Sequence, residues 1–520
     1  MGSYFMAIDA GTGSVRAVLF DTMGNQLFVS QQEWEHREDP RYPGSMDFDW
    51  THNWALASGC VRDVLKKSGI NPAEILGIST TSMREGIVLY DKEGNEIWAC
   101  ANVDARAGAE VGELKQLSPA LEAEIYMQSG QTYALGALPR LLWVKNHLPE
   151  VYERTAAINM FNDWLVTKLT GAITAEPSNG CTTGIFDLSK RAWLPEIAEK
   201  CGLRGDIFPP VTESGSIAGK VSKACAELTG LKEGTPVITG GGDVQFGGVG
   251  VGLVSEHQAA LFGGSFWQYV YNTASCKMDK DCRVRVNCHA VPGLWQYEAI
   301  AFFPGLIMRW YRDAFCQLEK LEGEKQGKDA YYLMDKEAEK IPAGSYGLMC
   351  TFSDVMNYIA WRHAAPSFVN FSLDAQKFNR YTFYRAIMEN AALVTKGNLE
   401  LVREVTGSTP TEIIFAGGAC KSPVWCQIVA DVLGLKVRVP KAKEATALGA
   451  AITASFGVGY YSSMKEAADK MVQWDKEYLP NPENQKVYQG LYETWRKVYA
   501  QNLTLADEKL TNYMWAAPGL

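Results

Sequence analysis

The sequence predicts an α/β protein built from two large, related domains that face each other across a cleft. Its 520 residues are too many for a single hydrophobic core. A short apolar strand that runs into a glycine turn and a second strand occurs near residue 11 and again near residue 264. Residues 412–439 have the pattern of a strand–helix–strand unit, which is the connection that parallel strands require.

The first half begins with a meander of strands. Alternating apolar residues predict strands near 4–9, 14–20 and 26–34, separated by turns that contain glycine. The elements expected next are a helix near 50–68, strands over 75–81 and 86–91, helices near 105–117, 119–128 and 139–147, and a buried strand over 236–239. That last strand runs into seven glycines between Gly240 and Gly252, which is more than packing alone requires.

The second half begins in a similar way. Strands are predicted over 257–262 and 266–271, on either side of a glycine turn. The later elements expected are a strand over 412–415, a helix over 424–433, a strand over 436–439, a helix of small residues over 445–455 and a helical tail from about residue 460. Ser422 is expected to cap the helix over 424–433, because Pro423 follows it at a favoured first helical position.

Composition and charge exclude several functional classes. The chain is 47% hydrophobic and 21% charged, as is typical of soluble globular proteins. Its net charge of −9, with scattered Lys and Arg, argues against a nucleic-acid partner or an acidic membrane. The twelve cysteines show no paired framework, and no signal peptide is evident, so we expect free thiols in the cytoplasm. Cys276, Cys282 and Cys288 recur at a spacing too wide for a typical zinc site.

Three glycine turns are candidates for holding phosphates. The turn over 11–14 precedes a strand rather than a helix, which argues against a dinucleotide-binding fingerprint. Its backbone N–H groups and two hydroxyls suit a phosphate, although an ordinary tight hairpin has the same pattern. The turn over 263–265 offers a second cradle, and the glycines at 417–418 would let the backbone approach an adenosine. Phosphoryl transfer depends on such positioning.

Two aspartates lie where such turns meet strands. Asp9 ends the first strand, where its carboxylate would organise Mg²⁺. Asp243 follows three glycines at the end of a buried strand and would accept the proton of an attacking hydroxyl. An alternative role for Asp243 is the N-cap of a helix that starts at Val244.

A charged pair, Arg84 and Glu85, follows the strand that is predicted to end near Thr81. Ligands often bind at such strand ends, so these side chains would contact hydroxyls or a carbonyl. The alternative is a surface ion pair without a ligand. The sequence contains neither a P-loop nor a protein-kinase signature.

Taken together, the motifs resemble those of the FGGY carbohydrate kinases, within the superfamily of actin and sugar kinases. The segments that carry the resemblance are 9–14, 240–243, 262–265, 416–425, 430–431 and 444–451. The resemblance implies two ribonuclease-H-like α/β domains that flank a central cleft. Residues 1–253 would form the substrate side, and residues 254–520, with the helical tail, would form the nucleotide side. ATP and Mg²⁺ are the implied cofactors.

The same resemblance assigns roles to individual residues. Asp243 would be the catalytic base, and Asp9 and Asp243 would lie at the Mg²⁺ site. Substrate contacts are implied for Arg84, Glu85, Asp104 and Asp243. The residues expected to bind ATP and its phosphates are Gly11, Thr12, Gly13, Ser14, Gly263, Gly264, Ser265, Gly417, Gly418 and Ser422.

A second set of segments points to one substrate within the family. These segments are 82–90, 98–106, 242–245, 363–368 and 517–520. They are similar to members that phosphorylate the open-chain signal 4,5-dihydroxy-2,3-pentanedione at its C5 hydroxyl. A kinase of a pentulose or polyol, such as xylulose, ribulose or glycerol, is the first alternative. The second is a nucleotide-gated binding protein that transfers no phosphate.

The sequence departs from the family pattern at two positions. Gly264 stands where the family commonly has threonine, so Ser265 or a backbone N–H would replace that hydroxyl. Ala419 stands where a third glycine is usual, and a methyl group adds little bulk. The resemblance also implies two partners that no residue marks. One is a second copy of the chain in a homodimer, and the other is a phosphocarrier protein of the sugar phosphotransferase system.

Overall fold

A computed structural model describes residues 2–134 and 136–517 of the chain. Residues 518–520, at the end of the last quoted segment, lie outside the described part. In the first half the elements are β1 (Tyr4–Ala10), β2 (Ser14–Asp21), β3 (Gln26–Glu33), α1 (Trp50–Ser68), β4 (Ile75–Ser82), β5 (Ile87–Tyr90), β6 (Glu96–Cys100), α2 (Gly108–Leu117), α3 (Leu121–Ser129), α4 (Ala137–His147), α5 (Pro149–Arg154), β7 (Ala157–Met160), α6 (Phe161–Thr170), α7 (Pro177–Gly180), β8 (Phe186–Asp187), β9 (Ala192–Trp193), α8 (Pro195–Lys200), β10 (Ile217–Lys220), α9 (Lys223–Thr229), β11 (Pro236–Gly242) and α10 (Asp243–Gly250).

The second half continues with the same alternation of strands and helices. Its elements are β12 (Ala259–Gly263), β13 (Trp267–Thr273), β14 (Arg285–Cys288), β15 (Trp295–Ala301), α11 (Pro304–Phe315), α12 (Gln317–Gln326), α13 (Ala330–Ala338), β16 (Met349–Cys350), β17 (Arg362–Ala364), β18 (Phe368–Val369), α14 (Arg380–Thr406), β19 (Glu412–Ala416), α15 (Pro423–Leu433), β20 (Lys436–Pro440), α16 (Ala445–Gly457), α17 (Met464–Met471), β21 (Trp474–Tyr478), α18 (Pro482–Asp507) and β22 (Tyr513–Ala516). No helix in residues 2–134 and 136–517 is long and apolar enough to cross a bilayer.

Two large sheets have the same internal topology. The first sheet has the order β10-β11-β4-β1-β2-β3, and the second has the order β14-β15-β13-β12-β19-β20-β21. In each sheet the opening strand, β1 or β12, pairs antiparallel with the next strand and parallel with a later one. The parallel neighbours β4 and β19 each pair with a further parallel strand, β11 or β20. The predicted α/β fold with two related halves is therefore confirmed.

The predicted elements around the glycine turns are confirmed, but the predicted tail is only partly helical. Strand β21 lies within it and pairs antiparallel with β20 at the edge of the second sheet. The guanidinium of Arg438 on β20 stacks on the ring of Trp474 at 3.6 Å, which fixes this edge. The local sequence favours a helix there, and long-range pairing overrides that preference.

Helices α10 and α16 fill the space between the sheets. Val244 of α10 packs with Ala260 and Ala416 of the second sheet. Phe246, further along α10, packs with residues of β1, β11 and α16 against the first sheet. The helices touch through glycine, because a Cβ on Gly449 would overlap the Phe246 carbonyl oxygen. The first turn of α10 is thereby fixed relative to both sheets.

Candidate active site

Three neighbouring strands of the first sheet bring the predicted acids and the charged pair to one edge. Asp9 on β1 lies in register with Thr81 on β4, and Thr81 pairs with Gly241 on β11. These strands are parallel, so the residues that follow them, including Arg84 and Asp243, leave the sheet at the same end. Ligands of open α/β sheets bind at that end.

Side chains from other segments of the first half hydrogen-bond to the turn over 11–14. The indole N–H of Trp34 donates to the carbonyl oxygens of Gly11 and Thr12 at 3.0 and 3.1 Å. The side-chain amide of Asn102 donates a hydrogen bond to the Thr12 hydroxyl at 3.0 Å. The backbone N–H groups of Thr12 and Gly13 make no hydrogen bond within the described residues, and both residues are exposed. The turn therefore offers two free donors of the kind that bind phosphate.

The turn over 263–265, which is expected to hold phosphate, contacts the turn expected to hold adenosine. Gly417 has a φ of +93°, and a Cβ there would lie 2.7 Å from the Gly263 carbonyl oxygen. A Cβ on Gly263 would lie 2.7 Å from the methyl of Ala419. Ser265 is exposed beyond this contact. Ser422 is different, because its hydroxyl accepts from the Trp425 N–H at 3.1 Å as the N-cap of α15 and is nearly buried.

Asp243 is the first residue of α10, and Gly242 is the N-cap. The proposed N-cap role for Asp243 is therefore wrong in position, although its Oδ1 accepts from the Val244 N–H at 2.8 Å. Its side chain keeps 41% of its surface accessible. Desolvation in the cleft nevertheless raises the pKa of Asp243 to about 7, with Arg84 opposing and the charges of Glu85 and Asp9 adding to the rise. A carboxylate of this pKa suits a general base at neutral pH.

Asp9 lies against a second ion pair. Its carboxylate is 3.7 Å from Arg16 Nε, and Arg16 pairs with Glu444 of the second half. Burial raises the pKa of Asp9 to about 6, while Arg16 lowers it and Glu444 raises it. The hydroxyl of Thr81, in register beside Asp9, is buried without a hydrogen-bond partner among the described residues. Asp9 and Thr81 thus offer hard oxygen donors that fit Mg²⁺.

The part of the chain that the structure describes has no cluster of three or more His, Cys, Asp or Glu suited to a metal ion. An Mg²⁺ ion at Asp9 and Asp243 would therefore take its other ligands from water and phosphate oxygens, which is usual for Mg²⁺ at phosphoryl-transfer sites.

Arg84 and Glu85 do not form a surface ion pair. The Arg84 side chain is only 4% exposed, and its two terminal nitrogens donate to both oxygens of Glu298 at 2.6 and 2.7 Å. Glu85 has a φ of +64°, an uncommon backbone conformation for a residue with a side chain. The guanidinium of Arg140 holds the Glu85 carbonyl, and Arg285 holds its carboxylate at 2.6 Å. The surface alternative is therefore wrong, because both side chains have little exposed surface and pair with residues of the second half.

The Asp104 carboxylate is already bonded to two other parts of the first half. It is fully buried and accepts from the Met46 N–H at 2.6 Å and from Arg106 Nε at 2.8 Å. No hydrogen bond or ion pair within residues 2–134 and 136–517 joins that carboxylate to Arg84, Glu85 or Asp243. The expected substrate contact of Asp104 stays a prediction.

The family of the chain follows from two matches that together cover most of it. The N-terminal domain of the FGGY family of carbohydrate kinases matches residues 4–250, and the C-terminal domain matches residues 252–458. The chain belongs to the FGGY family of carbohydrate kinases. Membership makes it an ATP-dependent kinase that acts on a small molecule, as the sequence resemblance implied.

Full-length relatives and a solved structure agree with this family. An autoinducer-2 kinase of Enterobacter sp. (strain 638) is 51% identical over 100% of this chain and 98% of its own length. An autoinducer-2 kinase of Klebsiella pneumoniae is 50% identical over the same shares. The crystal structure of xylulose kinase from Rhodospirillum rubrum covers 96% of this chain and 99% of its own, with a TM-score of 0.86 and 24% identity. That structure shows the fold alone.

Several residues around the candidate site of this FGGY kinase are not predicted from its sequence. Glu298 and Arg285 hold the charged pair, and Arg140 holds the loops around it. Gln245, two residues after Asp243, is buried, and neither polar atom of its amide has a hydrogen-bond partner among the described residues. A charge within an apolar strand, as in Trp295–Ala301, was the available signal, because such a residue is rarely buried without a partner.

Proposed function

We propose that this FGGY kinase transfers the γ-phosphoryl group of ATP to the C5 hydroxyl of autoinducer-2. The acceptor would be the open-chain form, 4,5-dihydroxy-2,3-pentanedione, and the products would be the phosphorylated signal and ADP. The proposal rests on one observation: about half of the residues, over the full length of the chain, are identical to those of relatives named autoinducer-2 kinase. The partly exposed carboxylate of Asp243, close to the buried Arg84 and the partly buried Glu85, provides the place for a small polar acceptor.

The chemistry assigned to the site is a displacement at phosphorus. The acceptor oxygen forms a bond to the γ-phosphorus while the bond from that phosphorus to the β–γ bridging oxygen breaks, and ADP keeps the electron pair. Asp243 takes the proton that the acceptor hydroxyl loses. Arg84 and Glu85 orient the acceptor, and the free N–H groups of Thr12 and Gly13 hold phosphate oxygens. Mg²⁺ bound near Asp9 and Asp243 would neutralise phosphate charge.

We assign the substrate to residues 1–253 and the nucleotide mainly to residues 254–520. The position of Asp243, Arg84 and Glu85 at the edge of the first sheet supports the first assignment. The close contact between Gly263 and Gly417 supports the second, because it forms a continuous glycine surface for a nucleotide. Gly418, Gly264 and Ser265 extend that surface, while Ser422 would act by capping α15.

A kinase of a pentulose or polyol is the competing proposal, because charged side chains such as Arg84 and Glu85 can bind many patterns of hydroxyl groups. The test is a comparison of kcat/KM for the dione with those for xylulose, ribulose and glycerol. The dione should have the highest value. A higher value for one of the other three would assign that acceptor instead. Absence of any phosphorylated product by ³¹P NMR would favour nucleotide binding without transfer.

We also propose a cytoplasmic location, since all twelve cysteines are free thiols and ten of them are buried. Formation of a homodimer and control by a phosphocarrier protein of the sugar phosphotransferase system are proposed from the family resemblance alone.

A further inference from the structure

A four-residue charge cluster joins the second sheet to the acceptor-binding loop. Arg285 on β14 and Glu298 on β15 are cross-strand partners in register. They do not mainly pair with each other, because Arg285 Nη1 and Glu298 Oε2 are 3.8 Å apart. Each reaches instead to one member of the consecutive pair Arg84 and Glu85, at 2.6 Å. Positive and negative charges therefore alternate around the cluster.

One nitrogen and one oxygen of the cluster make no hydrogen bond among the described residues. Glu298 engages both terminal nitrogens of Arg84, but Arg84 Nε is buried without a hydrogen-bond partner and lies 3.4 Å from Asp243 Oδ1. Arg285 engages Oε1 of Glu85, and Oε2 of Glu85 has no hydrogen bond among the described residues. Arg84 Nε, beside Asp243, and Glu85 Oε2 are thus a donor and an acceptor without a hydrogen bond among the described residues.

We propose that Glu298 and Arg285 are positioning residues for the acceptor. Glu298 fixes the Arg84 guanidinium so that its Nε faces the acceptor and Asp243. Arg285 fixes the Glu85 carboxylate so that Oε2 is free to accept a hydrogen bond from an acceptor hydroxyl. The second sheet would thereby set the acceptor geometry of a site that lies on the first sheet.

The surroundings of the cluster match this role. Asn287 donates to Glu298 Oε2 at 2.9 Å, and Gln131 accepts from Arg285 Nε at 2.8 Å. Tyr358 in turn donates to Gln131 at 3.1 Å. Supporting hydrogen bonds of this kind fix side-chain orientation. Burying four charges is a costly way to gain stability alone, since apolar residues of similar volume often serve as well.

The inference rests on the kinase assignment but not on the identity of the acceptor. It is therefore tested on whichever of the dione, xylulose, ribulose or glycerol the wild-type enzyme phosphorylates best. The variants are Glu298→Gln, which removes a charge, and two that keep it, Glu298→Asp and Arg285→Lys. The matched control is Glu389→Gln, because Glu389 forms another buried pair with Arg385, at 3.0 Å and away from these residues.

We expect Glu298→Asp and Arg285→Lys to raise the KM for the acceptor about tenfold or more, because the guanidinium or carboxylate that each orients is displaced. The KM for ATP should stay within about twofold of wild type, since the cluster touches no residue of the glycine turns. The control should lower the thermal midpoint without changing the acceptor KM. If Glu298→Gln folds, it should raise the acceptor KM further.

Unchanged acceptor KM values in Glu298→Asp and Arg285→Lys would overturn the proposal, whether or not Glu298→Gln folds. Equal rises in the KM for ATP and for the acceptor would also overturn it, because they would indicate a general loss of structure. A wild-type preference for an acceptor other than the dione would contradict the proposed function and leave this test intact.

Discussion

Arg84 Nε lies 3.4 Å from Asp243 Oδ1, and it is the buried nitrogen of that guanidinium without a hydrogen bond. The two residues follow neighbouring strands of the first sheet, β4 and β11, that end at the same edge. A cation at this distance favours the ionised form of the carboxylate. It also marks the position where an acceptor oxygen would meet both a hydrogen-bond donor and a base.

Replacement of Asp243 by alanine should lower kcat by about 10²–10⁴-fold, because the acceptor hydroxyl loses its base. The affinity for ATP should change little, since the glycine turns are untouched. Steady-state kinetics and ATP binding by calorimetry measure the two effects. Asp104→Asn is an informative comparison, because that carboxylate is already bonded to Met46 and Arg106. Near-normal turnover of Asp243→Ala would show that another group is the base.

The pH dependence should show an acidic limb. A base must be ionised to act, and its activity is lost as pH falls through its pKa in the folded enzyme. Desolvation raises the pKa of Asp243 to about 7 and that of Asp9 to about 6. We therefore expect kcat/KM to fall as pH drops below about 7, and to fall more steeply below about 6. A profile that stays flat from pH 8 to pH 5 would contradict both assignments.

Gly417→Ala should weaken ATP binding and destabilise the fold. The φ of +93° is strained for any residue with a side chain, and the new methyl would lie 2.7 Å from the Gly263 carbonyl oxygen. Such strain costs on the order of 1–3 kcal/mol. The KM for ATP should rise because both nucleotide turns shift.

Gly264→Ala is the matched control for that substitution. A Cβ there meets no atom closer than the Phe266 carbonyl oxygen at 3.7 Å, and no positive φ is involved. Its stability should equal that of wild type. If both variants lost ATP affinity equally, contact between the two turns would not explain the loss. Gly264→Thr has the same room at its Cβ and would test whether the family's usual hydroxyl improves catalysis.

The sequence predicts the candidate site residues at the edge of the first sheet better than it predicts the residues of the second sheet that pair with them. Asp9 lies next to the end of β1, and Arg84 and Asp243 come within two residues of the ends of β4 and β11, so local patterns suffice to place them. Glu298 and Arg285 depend on the pairing of β14 with β15 and on the contact between the two sheets, which no local pattern encodes. Strand β21 was missed for the same reason. For Asp104 the sequence does not reveal that the backbone of Met46 and the side chain of Arg106 bond its carboxylate.

The contact between α10 and α16 should be essential for both stability and turnover. In Gly449→Ala the added methyl would overlap the Phe246 carbonyl oxygen on α10. Overpacking of this kind costs about 1–3 kcal/mol, and relief requires α10 to move. Because Asp243 is the first residue of α10, we expect kcat to fall along with the denaturant midpoint.

Gly247→Ala is the control on α10, since the nearest neighbour of its new methyl group would be the Phe262 ring at 3.6 Å, an ordinary contact. It should unfold at or above the wild-type midpoint, because alanine favours a helix by about 1 kcal/mol over glycine. Equal unfolding midpoints and equal turnover for Gly449→Ala and wild type would show that α16 does not fix the position of the base.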